Sequence, residues 1–247
     1  MLIRFQSSTC FIIMPSHNCH SIVDAMLKMD YSEDFCIAMD FSPEFVVRLM
    51  EAGFLVMSAY IHSDGKEPLY ILLPKLHLVR SALFFENLHI KKSIRRYIKH
   101  YELRYDVEFD HILDCCIKKH GSDWLTPPLI DCIKKIRDLS LYNPNQHQTA
   151  RKAITAKLPG VRPVSFALYR DGKLTAGEFG IVCGRVYTSY SGYYDEDNAG
   201  TVQLILTTKY LQENGFSFFD LGMPMDYKTD LGALDINPNE FVRLFRG

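Results

Sequence analysis

Asp220 is the one carboxylate in the run FSFFDLGM (216–223), behind three phenylalanines and two positions before a glycine. Phe216, Phe218 and Phe219 read as a short buried strand that Gly222 and Pro224 bring to an end. A carboxylate where a strand leaves a core is costly unless it is hydrogen-bonded or used chemically. The plainer alternative is an aspartate that caps a helix or braces the loop.

A second concentration of functional groups is cationic. Between Arg80 and Arg104 stand seven Lys or Arg against two Glu. Within HIKKSIRRYIKHY (89–101), Ile90, Ile94, Tyr97 and Tyr101 recur at helical spacing as a buried stripe. Lys91, Lys92, Arg95, Arg96 and Lys99 then face solvent. Such a face is either simply solvated or binds phosphates, because clustered cations release counterions when they meet nucleic acid.

Two metal-like patterns fail. HNCH (17–20) offers His17, Cys19 and His20, but no partner cluster with ligand spacing follows. DEDNAG (195–200) begins like a calcium loop, yet Ala199 stands at the fifth position and Leu206 at the twelfth, where a carboxylate is needed. No metal is expected.

The frame for these groups is ordinary. The chain has 247 residues, 47% hydrophobic and 23% charged, with a net charge of −1. That is enough for one large domain or two unequal ones. No apolar run approaches the roughly 20 residues that cross a bilayer. Seven cysteines, with Cys115 and Cys116 adjacent, suit a reduced cytosolic chain. The start, MLIRFQSSTCFIIMP, has no clear cleavage site. A cytoplasmic location is expected.

The second half positions the chemistry. VSFALYR (164–170) reads as a strand, Asp171–Gly172 as a two-residue hairpin turn, and KLTAGEFGIVC (173–183) as the paired strand. RVYTSYSG (185–192) makes a third strand. Asn198 caps a helix over 201–214, with Gly215 just beyond its end. The strand ending at Asp220 follows, then a loop and a helix near 239–245 that Pro238 opens. The class is α+β, and this ββ-β-α-β order resembles the core of the N-acetyltransferase-like (GNAT-like) fold.

Five blocks in register resemble the leucyl/phenylalanyl-tRNA–protein transferase family. They are DFSPEFVVRLMEAGF (40–54), LLPKLHLVRS (72–81), SDWLTPPLIDCIKKI (122–136), GEFGIVCGRVYTSYSG (177–192), and GFSFFDLGM with DLGALDINPNEF (215–241). The resemblance implies a small N-terminal domain over 1–70 and a GNAT-like aminoacyltransferase domain over 71–247. A polar loop is inserted near 141–163, carrying Arg151, Lys152, Lys157 and Arg162. About ten further residues are inserted around Leu83–Ile90.

What the resemblance implies chemically is transfer of an amino acid, Leu or Phe in the family, from aminoacyl-tRNA to a protein N-terminus that begins with Arg or Lys. The context is N-degron-type degradation, and the enzyme is expected to act as a monomer without a membrane. On this reading Asp220 aligns and deprotonates the attacking amine, and Lys91, Lys92, Arg95 and Arg96 contact the tRNA. Trp124 stacks on the terminal adenine. Glu178, Tyr190, Ser191, Leu204, Thr207, Leu211 and Phe219 complete the substrate site. No cofactor is implied. Coenzyme A would need a turn able to cradle a pyrophosphate, and YYDEDNAGT puts Asp195, Glu196 and Asp197 there.

The departures are specific. Gly222 replaces a glutamine, Tyr190 replaces a glutamate, and Glu178 and Thr207 replace apolar pocket residues of the family pattern. Two readings follow from them: a divergent transferase, or a non-catalytic tRNA- or peptide-binding relative that keeps the scaffold.

Overall fold

The computed structural model describes residues 2–5, 8–29, 31–62, 67–141 and 160–247. The chain opens with β1 (Leu2–Phe5), β2 (Ser8–Phe11), α1 (Cys19–Lys28) and α2 (Pro43–Glu51). Next come β3 (Leu55–Ile61), β4 (Leu69–Lys75), β5 (Arg80–Leu83), α3 (Lys92–Ile98), β6 (Tyr101–Tyr105), α4 (Phe109–His120) and α5 (Pro127–Leu141). The second half holds β7 (Val161–Arg170), β8 (Lys173–Cys183), β9 (Val186–Tyr194), α6 (Ala199–Glu213) and β10 (Phe218–Asp220). It closes with α7 (Asp226–Asp230), β11 (Leu234–Ile236) and α8 (Pro238–Arg246).

Seven strands form one mixed sheet in the order β11-β5-β10-β9-β8-β7-β6. Every neighbouring pair is antiparallel except β9 and β10, which run parallel because α6 carries the chain back between them. The hairpin turn between β7 and β8 falls on Asp171 and Gly172, with φ of 51° and 77°. Positive φ at both positions is what a two-residue turn matched to strand twist requires. Gly215, at φ 75°, ends α6 as expected. Asn198 takes the position before α6 at φ 68°, but its side chain makes no capping bond.

Two expectations shift. The basic helix α3 stops at Ile98, and Tyr101 instead opens β6, paired with Arg170. Ladder pairing along β7 therefore overrides the helical spacing there, and Ile94 is the one buried member of the stripe. Of the insertion over 141–163, residues 142–159 lie outside the described ones, while Val161, Arg162 and Pro163 belong to β7.

The sheet has a covered face on each side. Phe179 and Phe218 point to the side filled by α2, α4, α5 and α8, where Phe45, Ile112, Ile133 and Phe241 are buried. Tyr187 and Phe219 point the other way, into a cluster with Leu211 of α6. This alternation sets Asp220 on the face of Phe218 and opposite Phe219. The hairpin β3–β4 forms a separate two-stranded sheet, and the division expected at residues 70–71 falls inside β4.

Candidate active site

Three neighbouring strands meet at Asp220. Its register partners are Ala82 in β5 and Thr188 in β9. Arg80 lies two residues along from Ala82, so it shares Ala82's face and stands diagonal to Asp220. The Arg80 Nε donates to Asp220 Oδ1 at 2.8 Å and Nη2 to Oδ2 at 2.6 Å. Thr188 Oγ1 donates to Oδ2 at 2.8 Å, and the Gly222 N–H to Oδ1 at 3.0 Å. An ionised carboxylate has about four acceptor positions, and here all are filled.

Neither member of the pair is open to water: Asp220 is 0% and Arg80 2% exposed. Burial opposes ionisation of Asp220, but the Arg80 charge and its hydrogen bonds outweigh that and hold the carboxyl below its usual range. The guanidinium lies over the Phe241 ring, 4.3 Å from its centroid. Its third nitrogen, Nη1, is buried without a hydrogen-bond partner. Arg80 also lines a small cavity with Phe54, Thr188, Tyr190 and Phe245.

The cavity owes its shape to a bulge in β9. Phe179 pairs with Ser191 and Gly180 with Ser189, which leaves Tyr190 as the extra residue. Gly180 permits the close approach, because a Cβ there would strike the Thr188 carbonyl and come within 2.7 Å of the Tyr187 ring. The Tyr190 hydroxyl accepts the Val56 N–H at 3.0 Å, which ties the bulge to β3. Ser191 turns toward Cys116 of α4.

Glu178 stands on the opposite face, 2% exposed. Its Oε2 accepts from Ser189 Oγ at 3.1 Å, while Oε1 has no well-aligned partner. Burial pushes its carboxyl up to about 7, against the pull of Ser189, Thr207, Tyr187 and Lys228. Thr207 is fully buried and accepts from Gln203 Nε2 at 3.2 Å, so both departures from the apolar pattern fall in one polar cluster under α6. Leu211 and Phe219 are buried in the same layer, and Leu204 packs against it. Lys228 covers this region, with Nζ donating to the Leu221 and Met223 carbonyls at 2.6 and 2.7 Å. Burial lowers its ammonium to about 8.

The remaining expected residues lie apart. Trp124 is half-buried between α4 and α5, and its carbonyl accepts the Ser58 N–H of β3 at 2.9 Å. Lys91 is paired with Asp230 at 2.6 Å, and Lys92, Arg95 and Arg96 are exposed. Arg95 and Lys99 line an open groove with Lys209 of α6. In the acidic turn before α6, Glu196 pairs with Arg170 at 3.3 Å. Of HNCH, Asn18 caps α1 by accepting the Ser21 N–H at 3.1 Å, and Cys19 is in the core.

Four site residues were not singled out from sequence: Arg80, Thr188, Gln203 and Lys228. Arg80 is the last residue but one of the block LLPKLHLVRS, and an arginine within an otherwise strand-like stretch was the available signal. The other three carry no local pattern, since only the register of β9 and the packing of α6 and α7 bring them in.

The family model described as Leucyl/phenylalanyl-tRNA protein transferase matches residues 82–246. Curated relatives bearing that name include one from Pseudomonas putida (strain W619), 25% identical over 208 residues, 82% of this chain and 79% of the relative. Another from Maridesulfovibrio salexigens is 22% identical over 211 residues, 82% and 75%. A third from Pseudomonas entomophila (strain L48) is 25% identical over 168 residues, 66% and 65%. Among solved structures, FemX aligns with TM-score 0.42 at 8% identity over 96% of this chain and 81% of that one. With its mixed α+β sheet, the chain belongs to the leucyl/phenylalanyl-tRNA protein transferase family, aminoacyltransferases that move an amino acid from aminoacyl-tRNA to a protein N-terminus.

Proposed function

We propose that this chain transfers an aminoacyl group from the 3′ end of tRNA to proteins beginning with Arg or Lys, and that Arg80, held by Asp220, stabilises the transition state. The setting is N-degron-type turnover in the cytoplasm, with the protein acting as a monomer. Among the described residues, no helix is long and apolar enough to cross a membrane.

The observation that carries this reading is the unpartnered Nη1 of a buried guanidinium beside a cavity. The amine lone pair attacks the ester carbonyl carbon, and negative charge gathers on the carbonyl oxygen. A fixed N–H aimed at that oxygen, shielded from water, is worth far more than in solvent. The carbon–oxygen bond to tRNA then breaks, the new amide nitrogen gives up a proton, and the ribose oxygen gains one. Protons balance, so the step needs no cofactor.

Asp220 is a positioning residue on this account. Its four acceptor positions are occupied, so an amine would have to displace Arg80, Thr188 or Gly222 to reach it. An α-amine with a pKa near 7.7–8.0 is partly neutral at physiological pH, and the activated ester leaves most of the rate to orientation. Lys91, Lys92, Arg95 and Arg96 hold tRNA phosphates, and Trp124 takes the terminal adenine.

A second reading, a scaffold that binds without chemistry, draws support from Tyr190, whose hydroxyl is engaged by Val56 where the family pattern has a carboxylate. Peptides beginning with Arg, Lys or Ala, incubated with total charged tRNA and then weighed, separate the two. Transfer predicts one added residue on the Arg and Lys peptides; no mass gain on any peptide selects the binding-only scaffold.

A further inference from the structure

We infer that the Tyr190 hydroxyl is a second donor to the carbonyl oxygen of the transferred aminoacyl ester, beside Arg80 Nη1 in a cavity the size of one oxygen atom. This inference rests on the transferase reading and adds a catalytic residue to it.

The phenol has a hydrogen to give. A tyrosine hydroxyl can both donate and accept, and here it accepts the Val56 N–H at 3.0 Å. Among the described residues, no acceptor takes its own hydrogen. Burial pushes the phenol up, so that hydrogen stays in place at physiological pH. The group is also held still. Val56 is fully buried, and the Tyr190 ring packs 6.1 Å from the ring of Phe179, itself fully buried. A donor fixed in advance needs no reorganisation when charge appears beside it.

Arg80 supplies the other donor. Its Nε and Nη2 both bond Asp220, so Nη1 is the corner of the guanidinium turned away from that carboxylate, buried and unpartnered. Arg80 and Tyr190 line one cavity, whose walls otherwise include Met50, Phe54, Ile181 and Phe245. Thr188 is there too, but its hydroxyl hydrogen is spent on Asp220. Buried donors without partners are rare, and two in a largely apolar wall select a ligand atom that accepts.

Size narrows the choice. The cavity holds about 10 Å³, room for one oxygen atom and not for a side chain. Cys183, Tyr190 and Phe245 are half-buried, so the cavity reaches the surface on their side, where the rest of the ester can lie. By the family resemblance, Tyr190 stands where a glutamate is usual. An ionised carboxylate only accepts, whereas a phenol can donate, so the exchange reverses the polarity of this wall. During transfer the phenol hydrogen is shared with the growing oxyanion and remains on the tyrosine. The bonds made and broken are still those of the transfer, nitrogen to carbonyl carbon and carbonyl carbon to ribose oxygen.

Tyr190→Phe removes this donor and also the acceptor of Val56, so a second variant separates the two. Replacing Tyr190 with 3-fluorotyrosine makes the hydroxyl a stronger donor and a weaker acceptor. In single-turnover transfer, Tyr190→Phe is expected to lose about 10²-fold with tRNA affinity unchanged, and the fluorotyrosine protein to run faster than wild type. An equal or slower fluorotyrosine protein assigns the hydroxyl to holding Val56 and overturns the inference, as does full activity in Tyr190→Phe. Binding reads the same contact without transfer. The phosphonate analogue of leucine, esterified to the 3′ oxygen of adenosine, carries a charged oxygen in place of the oxyanion. It is expected to bind the full chain at least tenfold more tightly than 3′-leucylamido-3′-deoxyadenosine, and Tyr190→Phe should remove most of that preference. A preference that Tyr190→Phe leaves intact overturns the inference. A preference that depends on Tyr190, in a wild type that transfers from no charged tRNA, would reject the transferase reading and leave the donor assignment standing.

Discussion

Arg80 and Asp220, 140 residues apart in sequence, are joined by hydrogen bonds of 2.8 and 2.6 Å across adjacent strands, both fully inside the protein. The pair links the first strand of the main sheet to the last strand before its C-terminal loop. It is both the seam of the fold and the charge of the candidate site.

Breaking that pair from one side leaves a buried charge alone. Asp220→Asn, which strands the Arg80 guanidinium, should destabilise the protein by about 3–5 kcal/mol, read from urea unfolding. Arg80→Met together with Asp220→Leu should restore much of that loss, because paired apolar side chains remove both charges. A strongly coupled double-mutant cycle is the expected outcome, and additive losses would show that the two residues act independently.

Glu178 makes stability depend on pH. Its folded carboxyl titrates at about 7, above its ordinary value, so the stabilising contribution of the protonated form is present at low pH and is lost as pH rises through 7. Unfolding free energy should fall by roughly 3 kcal/mol between pH 4.5 and 8 from this group alone. Glu178→Gln should flatten that slope in urea titrations at several pH values. A slope unchanged in the variant would assign the pH dependence elsewhere.

The basic helix α3 should matter for affinity and not for sequence. Reversing Arg95 and Arg96 to Glu is expected to weaken binding to different tRNAs alike and to reduce the salt slope by about 2. Filter binding at several salt concentrations measures both. Unchanged affinity and slope in the folded double variant would leave α3 as a solvated surface.

The second half of the fold was legible because its signals are local. Lys173–Cys183 is the strand the sequence predicts, and Asp171–Gly172 makes the turn. The partition of the site between two faces was not legible. Asp220 and Phe219 are adjacent in sequence, yet one meets Arg80 and the other stacks near Tyr187 across the sheet. Glu178 and Thr207 read as isolated oddities in sequence, and only the packing of α6 on β8 makes them one cluster. The proposed role of Asp220 as a positioning residue was not legible for the same reason, since Arg80 reaches it through a strand pairing no motif spans. Tyr101 misled because its spacing continues the helix while its backbone pairs with β7.

The central claim is that Arg80 stabilises aminoacyl transfer, and single-turnover kinetics test it most directly. Wild type and Arg80→Lys, both checked for folding, are mixed in excess with charged tRNA and an Arg-starting peptide. The account predicts transfer by the wild type and a loss of about 10²-fold or more in Arg80→Lys, with tRNA affinity unchanged, as expected when one transition-state donor is removed. Equal single-turnover rates in the two proteins, or a wild type that transfers from no charged tRNA, would contradict it.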